Sequence, residues 1–205
     1  MTALIIVDVQ NDFMPGGRLA VPYGNTVIPV INSLQNAFML NVATQDWHPP
    51  GHKSFASSHP GRSAFETITL HGLDQVLWSD HCVQGSDGAL FHQGLEMNRV
   101  EAIFRKGMDR EVDSYSGFYD NGMRKSTGLA GYLRERKVDQ VFLCGLAGDY
   151  CVYFTAMDAL RENFKTYVIE DATRPIDIAA FERAKDTIRA SGGQVITGDT
   201  LHRHL

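Results

Sequence analysis

Apolar residues along the chain form short continuous runs, and between these runs they recur at helical spacing. Short uninterrupted runs are typical of strands buried on both faces of a parallel sheet. Apolar residues three and four positions apart are typical of helices that pack one face against such a sheet. The predicted strands are 4–9, 42–45, 102–106, 140–144, 166–169 and 194–197, and the predicted helices are 25–40, 126–136, 150–163 and 179–191. This order predicts an α/β fold built from βαβ units with a mainly parallel sheet.

The pattern is least regular between the second and third predicted strands, at about residues 46–99. This region is rich in Gly, Ser and Pro, and five of the eight histidines fall within it between residues 48 and 81. Irregular segments of that length in a compact domain are usually functional. We therefore predict a single domain over residues 1–205, with a long irregular region that carries part of the functional site.

Composition narrows the class of protein and the class of partner. The 205 residues are 43% hydrophobic with a net charge of -5, and neither a basic stripe nor a membrane-length apolar run is visible. These features predict a soluble globular protein whose partner is a small molecule rather than nucleic acid or a membrane. The three cysteines lack CxxC spacing, which disfavours a disulfide framework or a dithiol redox motif. With no signal-peptide pattern at the N-terminus, we expect a reducing, cytoplasmic location.

The first candidate for chemistry is Cys151, in the segment 145–152 that joins a predicted strand to a predicted helix. Gly145 and Gly148 allow a sharp turn there, and Asp149 is placed to cap the helix, so Cys151 is predicted in its first turn. Free N–H groups and the helix dipole at that position favour a thiolate and can hold an oxyanion. The alternative is a cysteine buried only for packing.

Two further candidates occupy equivalent positions on other predicted strands. Asp8 and Lys106 lie, like Cys151, at or just after the carboxyl end of a strand. Those ends line up along one edge of a parallel sheet, where ligands bind. If the three side chains meet there, Cys151 would attack the substrate and Asp8 would take and return the proton. Lys106 would stabilise the anionic forms and orient Asp8. The alternative is a strand-end turn residue for Asp8 and a surface lysine for Lys106.

A metal site is predicted in the irregular region. Asp46 and His48 are two residues apart on an extended segment, so their side chains point the same way. We favour His81 as the third ligand, although spacing alone does not exclude the other histidines of the region, at 52, 59 and 71. One carboxylate and two imidazoles suit zinc, iron or manganese and leave positions open for substrate. Cys82 is expected to be buried rather than a ligand, and loop histidines without a metal are the alternative.

Six ordered motifs together carry a resemblance to a known family. They are DVQNDF at 8–13, DWHPPGHKSF at 46–55, LWSDHCVQG at 77–85, KG at 106–107, DSYSGF at 113–118 and GLAGDYCV at 145–152. On these motifs the chain resembles the nicotinamidases, which belong to the isochorismatase-like cysteine hydrolases, over nearly its whole length. The resemblance implies a three-layer α/β/α fold with a central, mainly parallel sheet.

The resemblance also implies a role for individual residues. The implied residues are the triad Asp8, Lys106 and Cys151, the metal ligands Asp46, His48 and His81, the oxyanion-hole N–H groups of Ala147 and Cys151, and the substrate-binding residues Phe13, Trp78 and Tyr115. A cis peptide between Leu146 and Ala147 is implied as well. Zinc is the expected metal, with iron or manganese as alternatives. Whether His52, His59 or Ser54 contributes directly or through water stays open.

The implied activity is hydrolysis of nicotinamide to nicotinate and ammonia through a cysteine thioester, with pyrazinamide as a second substrate. Such an enzyme would recycle nicotinamide towards NAD, and the family allows a homo-oligomer. One alternative is a related hydrolase acting on isochorismate or on a carbamoyl amide. Another is a metal-binding or thiol-sensing protein without turnover, which the lack of a nearby resolving cysteine disfavours.

Overall fold

The computed structural model describes all 205 residues, and a parallel sheet of six strands lies at its centre. The strands in chain order are β1 (Thr2–Val7), β2 (Leu40–Asp46), β3 (Thr67–Leu70), β4 (Leu73–Val76), β5 (Val100–Lys106), β6 (Gln140–Leu146), β7 (Lys165–Arg174) and β8 (Gln194–Ile196). The central sheet has the order β5-β2-β1-β6-β7-β8, and each neighbouring pair is parallel. Strands β3 and β4 form a separate antiparallel pair. The predicted parallel sheet is therefore confirmed.

Helices cover both faces of this sheet. They are α1 (Val27–Leu34), α2 (Leu129–Glu135), α3 (Tyr153–Arg161) and α4 (Ile178–Ala190). Alternate residues of β1 point to opposite faces, so Leu4 and Ile6 share one apolar core with α1, whereas Ile5 shares the other with α2, α3 and α4. The three-layer α/β/α fold is thus confirmed. None of the helices combines the length and the apolar character needed to cross a membrane.

Two predicted helices are shorter than the sequence pattern suggested. The helix predicted at 25–40 is α-helical only over Val27–Leu34, with a 3₁₀ turn on each side. The helix predicted at 126–136 begins at Leu129, because Gly128 has a φ of 91° and cannot be helical. Ser126 does not cap this helix, since its hydroxyl instead accepts a hydrogen bond from the N–H of Gly128. Neither difference moves a predicted site residue.

The irregular region contains a hairpin that the sequence analysis did not predict. Strands β3 and β4 are joined by His71 and Gly72, whose φ angles of 51° and 83° are those of a type I′ turn. Thr67–Leu70 alternates polar and apolar residues over only four positions, Leu73–Val76 does not alternate, and only Gln75 among the eight residues is buried. His-Gly also lacks the Asn or Asp that usually marks such a turn. Short 3₁₀ turns and bends account for most of the rest of 46–99.

Candidate active site

The segment between β6 and α3 places Cys151 at the edge of the sheet. Gly148–Val152 form a single π-helical turn, which leads directly into α3. Gly145 has a φ of 116°, and a Cβ at this position would lie 2.1 Å from the carbonyl oxygen of Val7. Only glycine therefore lets β6 approach β1 so closely before the turn. A π-helical turn within a helix is frequent at functional sites.

The predicted cap by Asp149 is wrong. Its carboxylate accepts hydrogen bonds from the N–H groups of Ile176 and Asp177, both at 2.9 Å, instead of capping its own helix. Ala147 is the N-terminal cap residue, and it has no polar side chain. Asp149 thus ties the cysteine-bearing turn to the segment that precedes α4.

Lys106 contacts both of the other predicted triad residues. Its ammonium nitrogen lies 3.0 Å from Oδ2 of Asp8 and 3.5 Å from Sγ of Cys151, and it donates to the carbonyl of Ser114 at 2.8 Å. All three side chains are buried. Asp8 follows β1 with a φ of 48°, and the hydroxyl of Thr44 donates to its Oδ1 at 2.6 Å. A thiol, a carboxylate and an ammonium group therefore meet at the carboxyl ends of β6, β1 and β5.

Burial dominates the pKa values of Asp8 and Cys151. It raises the pKa of Asp8 from its usual value, although Lys106 opposes the rise. Burial also raises the pKa of the Cys151 thiol, again against Lys106 and with nearby Asp8 adding to the rise. The thiolate expected from a helix N-terminus is therefore outweighed by desolvation. Both shifts favour the protonated forms of the thiol and the carboxyl group.

The three predicted metal ligands also converge. Nε2 of His48 and Nε2 of His81 lie 3.0 and 3.3 Å from Oδ2 of Asp46. Nδ1 of each ring faces a backbone carbonyl, Gly107 for His48 at 3.0 Å and Ser79 for His81 at 2.8 Å. Because a carbonyl only accepts, each Nδ1 carries the proton and each Nε2 is free to act as a ligand when the ring is neutral.

This donor set fits a divalent metal. The ligand atoms of Asp46, His48 and His81 all lie within 4.8 Å of one another, and all three residues are buried. The carboxylate raises the pKa of His48 despite burial, which alone would lower it. Two imidazole nitrogens and one carboxylate oxygen that face each other require a cation between them or a proton on a ring. The residues could therefore hold a divalent metal with positions left for another ligand.

The other histidines of the region have other partners. Nε2 of His52 faces the carbonyl of Asp109 at 2.7 Å, and its Nδ1 lies 2.8 Å from the hydroxyl of Ser54. His59 faces the carbonyl of Lys53, and Nε2 of the exposed His71 lies 3.0 Å from Oε2 of Glu111. Cys82 is buried, as expected. In this structure His52 and His59 contact backbone carbonyls in the loops around the predicted metal ligands.

A small cavity opens beside both groups. It is lined by seven of the predicted site residues, namely Phe13, Asp46, Trp78, His81, Tyr115, Ala147 and Cys151. Sequence reasoning missed Leu19, Asp113, Tyr150 and Ile176, which also line it. Asp113 and Tyr150 lie within two of the six motifs, so their position in the sequence could have identified them as site residues. Leu19 and Ile176 lie outside all six and carried no such signal.

Comparison with known proteins places this site in a family. The Isochorismatase domain model matches residues 2–200, which is nearly the whole chain. The chain belongs to the isochorismatase family. Among the relatives of this isochorismatase-family protein is the nicotinamidase of Acinetobacter baylyi, which is 48% identical over 200 residues that cover 97% of this chain and 94% of the relative. A nicotinamidase and pyrazinamidase structure from Acinetobacter baumanii has a TM-score of 0.95 at 48% identity, covering 98% of this chain and 97% of that one.

Two other solved structures that are similar to this chain contain ligands. A structure from L. infantum is in complex with nicotinate; its TM-score is 0.86 at 40% identity, with 97% of this chain and 93% of that chain covered. The pyrazinamidase of Pyrococcus horikoshii is in complex with zinc; its TM-score is 0.79 at 36% identity, with 96% and 98% covered. These proteins bind a pyridine carboxylate and a metal, respectively.

The isochorismatase-family resemblance also implied a cis peptide and an oxyanion hole. The peptide bond between Leu146 and Ala147 is cis. The N–H of Ala147 donates to no group of the chain, and Ala147 lines the cavity beside Cys151. A backbone donor is therefore available where an oxyanion would form on a carbonyl attacked by the thiol.

Proposed function

We propose that the protein is a nicotinamidase, which hydrolyses nicotinamide to nicotinate and ammonia and also deamidates pyrazinamide. The single observation that carries the proposal is the pairing of two residue sets around one aromatic cavity. Lys106 lies within 3.5 Å of Sγ of Cys151, and it also lies 3.0 Å from Asp46, whose other oxygen faces His48. Relatives with nicotinamidase and pyrazinamidase names support the substrate class.

In the proposed mechanism, Cys151 is the nucleophile and Asp8 is the proton carrier. Sγ of Cys151 attacks the amide carbonyl carbon while the thiol proton passes to the carboxylate of Asp8. The N–H groups of Ala147 and Cys151 hold the resulting oxyanion. Asp8 then gives its proton to the amide nitrogen, and the carbon–nitrogen bond breaks. Ammonia departs, and the acyl group remains bound to Cys151 as a thioester.

Water completes the cycle. Asp8 takes a proton from a water molecule as that water attacks the thioester, and the proton returns to Sγ when the acid leaves. Lys106 stays protonated because Asp46 and Asp8 raise its pKa, although burial alone would lower it. Its fixed positive charge offsets the negative charge that passes between Asp8 and Cys151.

Asp46, His48 and His81 would hold the metal, which we propose to be zinc, with iron and manganese accepted by the same donors. When bound, this ion would supply a Lewis-acid site that binds a ring nitrogen and so anchors the substrate. Phe13, Trp78 and Tyr115 would enclose the aromatic ring. This arrangement selects a nitrogen heterocycle with an exocyclic amide.

The decisive experiment measures ammonia release from nicotinamide and from pyrazinamide by the purified protein. Cys151→Ala is expected to lower turnover by more than about 10³-fold, because it removes the nucleophile. Cys144→Ala is the matched control, since Cys144 is also a buried thiol but does not line the cavity. Absence of ammonia from both amides, with zinc, iron and manganese each supplied, would refute the proposed function and favour a hydrolase of a different small amide.

A further inference from the structure

The hairpin β3–β4 has one buried side chain, Gln75, which contacts residues of the cavity. Gln75 is 3% exposed, and every other residue of the two strands is partly or fully exposed. Its amide nitrogen Nε2 lies 2.7 Å from the carbonyl of Val76, 3.0 Å from Oδ2 of Asp113 and 3.0 Å from the hydroxyl of Tyr115. Three acceptors thus surround a single amide group that has two protons to donate.

Two aromatic side chains of the cavity, Trp78 and Tyr115, contact each other at the Tyr115 hydroxyl. The indole N–H of Trp78 donates to the same Tyr115 hydroxyl at 3.3 Å. The two rings lie 6.1 Å apart at 82°, and both line the cavity. The Tyr115 oxygen therefore receives one donor from the hairpin and one from Trp78. Its position fixes the far end of one ring and the polar edge of the other.

Asp113 extends the same network to the metal ligands. Oδ1 of Asp113 accepts from the N–H of Ser114 at 2.8 Å and lies 4.0 Å from Nε2 of His48, while Oδ2 accepts from Gln75. Asp113 is 2% exposed and lines the cavity. Without Gln75 this buried carboxylate oxygen would lose its partner. None of the hydrogen-bond partners of Gln75 is Asp8, Lys106 or Cys151.

We propose that Gln75 is a positioning residue, which sets the geometry of the ring-binding side of the cavity by holding the Tyr115 hydroxyl and the Asp113 carboxylate. This inference rests on the proposed function, because it concerns the binding of the substrate ring. Gln75 acts through Tyr115, with Trp78 on the same hydroxyl, and through Asp113, and it does not touch the reacting atoms. Its loss therefore weakens ring binding and leaves the chemical step at Cys151 largely unchanged.

The test compares steady-state kinetics of ammonia release for wild type, Gln75→Met, Tyr115→Phe and the double variant. Methionine keeps the length of the side chain but cannot donate, so Gln75→Met is expected to raise KM for nicotinamide about tenfold, with kcat within about twofold. Tyr115→Phe removes the shared acceptor. If Gln75 acts through that hydroxyl, the double variant raises KM by much less than the product of the two single effects. Asp74→Asn, an exposed change on the same strand, is the matched control and should alter neither constant.

Nicotinate binding, followed by tryptophan fluorescence, supplies a second readout that does not depend on turnover. Gln75→Met is expected to weaken nicotinate binding by the same factor as it raises KM. An unchanged KM, a fall in kcat alone, or fully multiplicative effects in the double variant would overturn the inference. Loss of thermal stability in Gln75→Met without a change in KM would assign a structural role only. Failure of the proposed function is distinguishable, because wild type itself would then release no ammonia.

Discussion

The ammonium nitrogen of Lys106 lies 3.0 Å from Oδ1 of Asp46, so that a residue of the proposed triad directly contacts a proposed metal ligand. The other oxygen of Asp46 faces Nε2 of His48. Although burial alone would raise the pKa of Asp46, His48 and Lys106 hold it well below its usual range. The carboxylate therefore stays ionised and contacts both the proposed triad and the proposed metal ligands. A substitution of Lys106 is expected to affect stability as well as catalysis.

Removal of the Lys106 charge should lower both activity and stability. Lys106→Met leaves Asp8 and Asp46 buried without their shared cation, so we expect a loss of about 3–5 kcal/mol in the free energy of unfolding. Turnover should fall by more than about 10²-fold, since the charge that stabilises the anionic forms is gone. Denaturant unfolding and ammonia release measure the two effects.

Lys185→Met is the matched control for this prediction. Lys185 is 4% exposed, but its partners are surface carboxylates, because 42% of the Glu170 side chain and 61% of the Glu182 side chain are exposed, and they stay hydrated when the lysine is removed. Its loss should cost about 1 kcal/mol or less and leave turnover intact. Equal destabilisation by the two variants would contradict the account of Lys106.

The metal content of histidine variants should separate ligands from supporting residues. His48→Ala and His81→Ala each remove a free Nε2, so the purified variants are expected to lose most of their metal. His52→Ala is the comparison, because both nitrogens of His52 already face Ser54 and Asp109. It should retain metal at close to the wild-type stoichiometry. Metal analysis by mass spectrometry checks this, and metal loss in His52→Ala equal to that in His48→Ala would make His52 a ligand.

The residues predictable from sequence were those whose position follows from the topology. Asp8, Lys106 and Cys151 end strands that the apolar runs revealed, and parallel strands align their carboxyl ends at one edge. Their meeting within 3.5 Å of Lys106 follows from that alignment. For His81, spacing left several histidines equivalent, and the family motifs singled it out.

Other features depend on tertiary contacts that no local pattern encodes. Asp149 looks like a helix cap in sequence, but the N–H groups of Ile176 and Asp177 compete for its carboxylate. Gln75 is a polar residue on a strand of four residues, and its partners Asp113 and Tyr115 lie 38 and 40 positions further along the chain. Burial of Cys151 outweighs the helix N-terminus in setting its pKa, and burial is a property of the folded chain.

The acid side of the pH–rate profile should report Asp8. Burial raises the pKa of this carboxyl above its usual 3.8, and it must be ionised to accept the thiol proton. Activity is therefore present above the raised pKa and is lost as the pH falls through it. Thr44→Val removes a hydrogen bond that lowers this pKa, so the acid limb of kcat/KM should move to higher pH.

Thr166→Val is the control for the pH experiment. Thr166 is also buried on a strand of the central sheet, but its hydroxyl donates to the carbonyl of Phe164, away from the cavity. Its acid limb should coincide with that of wild type. A limb that moves to lower pH in Thr44→Val would assign the titration to a group other than Asp8.

Gly107 tests how closely the backbone supports the metal ligands. Its carbonyl accepts from Nδ1 of His48, and a Cβ at this position would lie 2.5 Å from the His48 ring and 3.1 Å from Oδ1 of Asp46. Gly107→Ala is expected to displace His48 and weaken metal binding by about 10–100-fold. Gly192→Ala carries a similar backbone penalty, since φ is 93° there against 66° at Gly107, but its Cβ would meet nothing within 4 Å. Gly192→Ala should therefore lose about 1 kcal/mol of stability and keep full metal affinity. A metal titration of both variants isolates the contact with His48 from the strain, and equal metal affinities would show that the His48 ring moves aside freely.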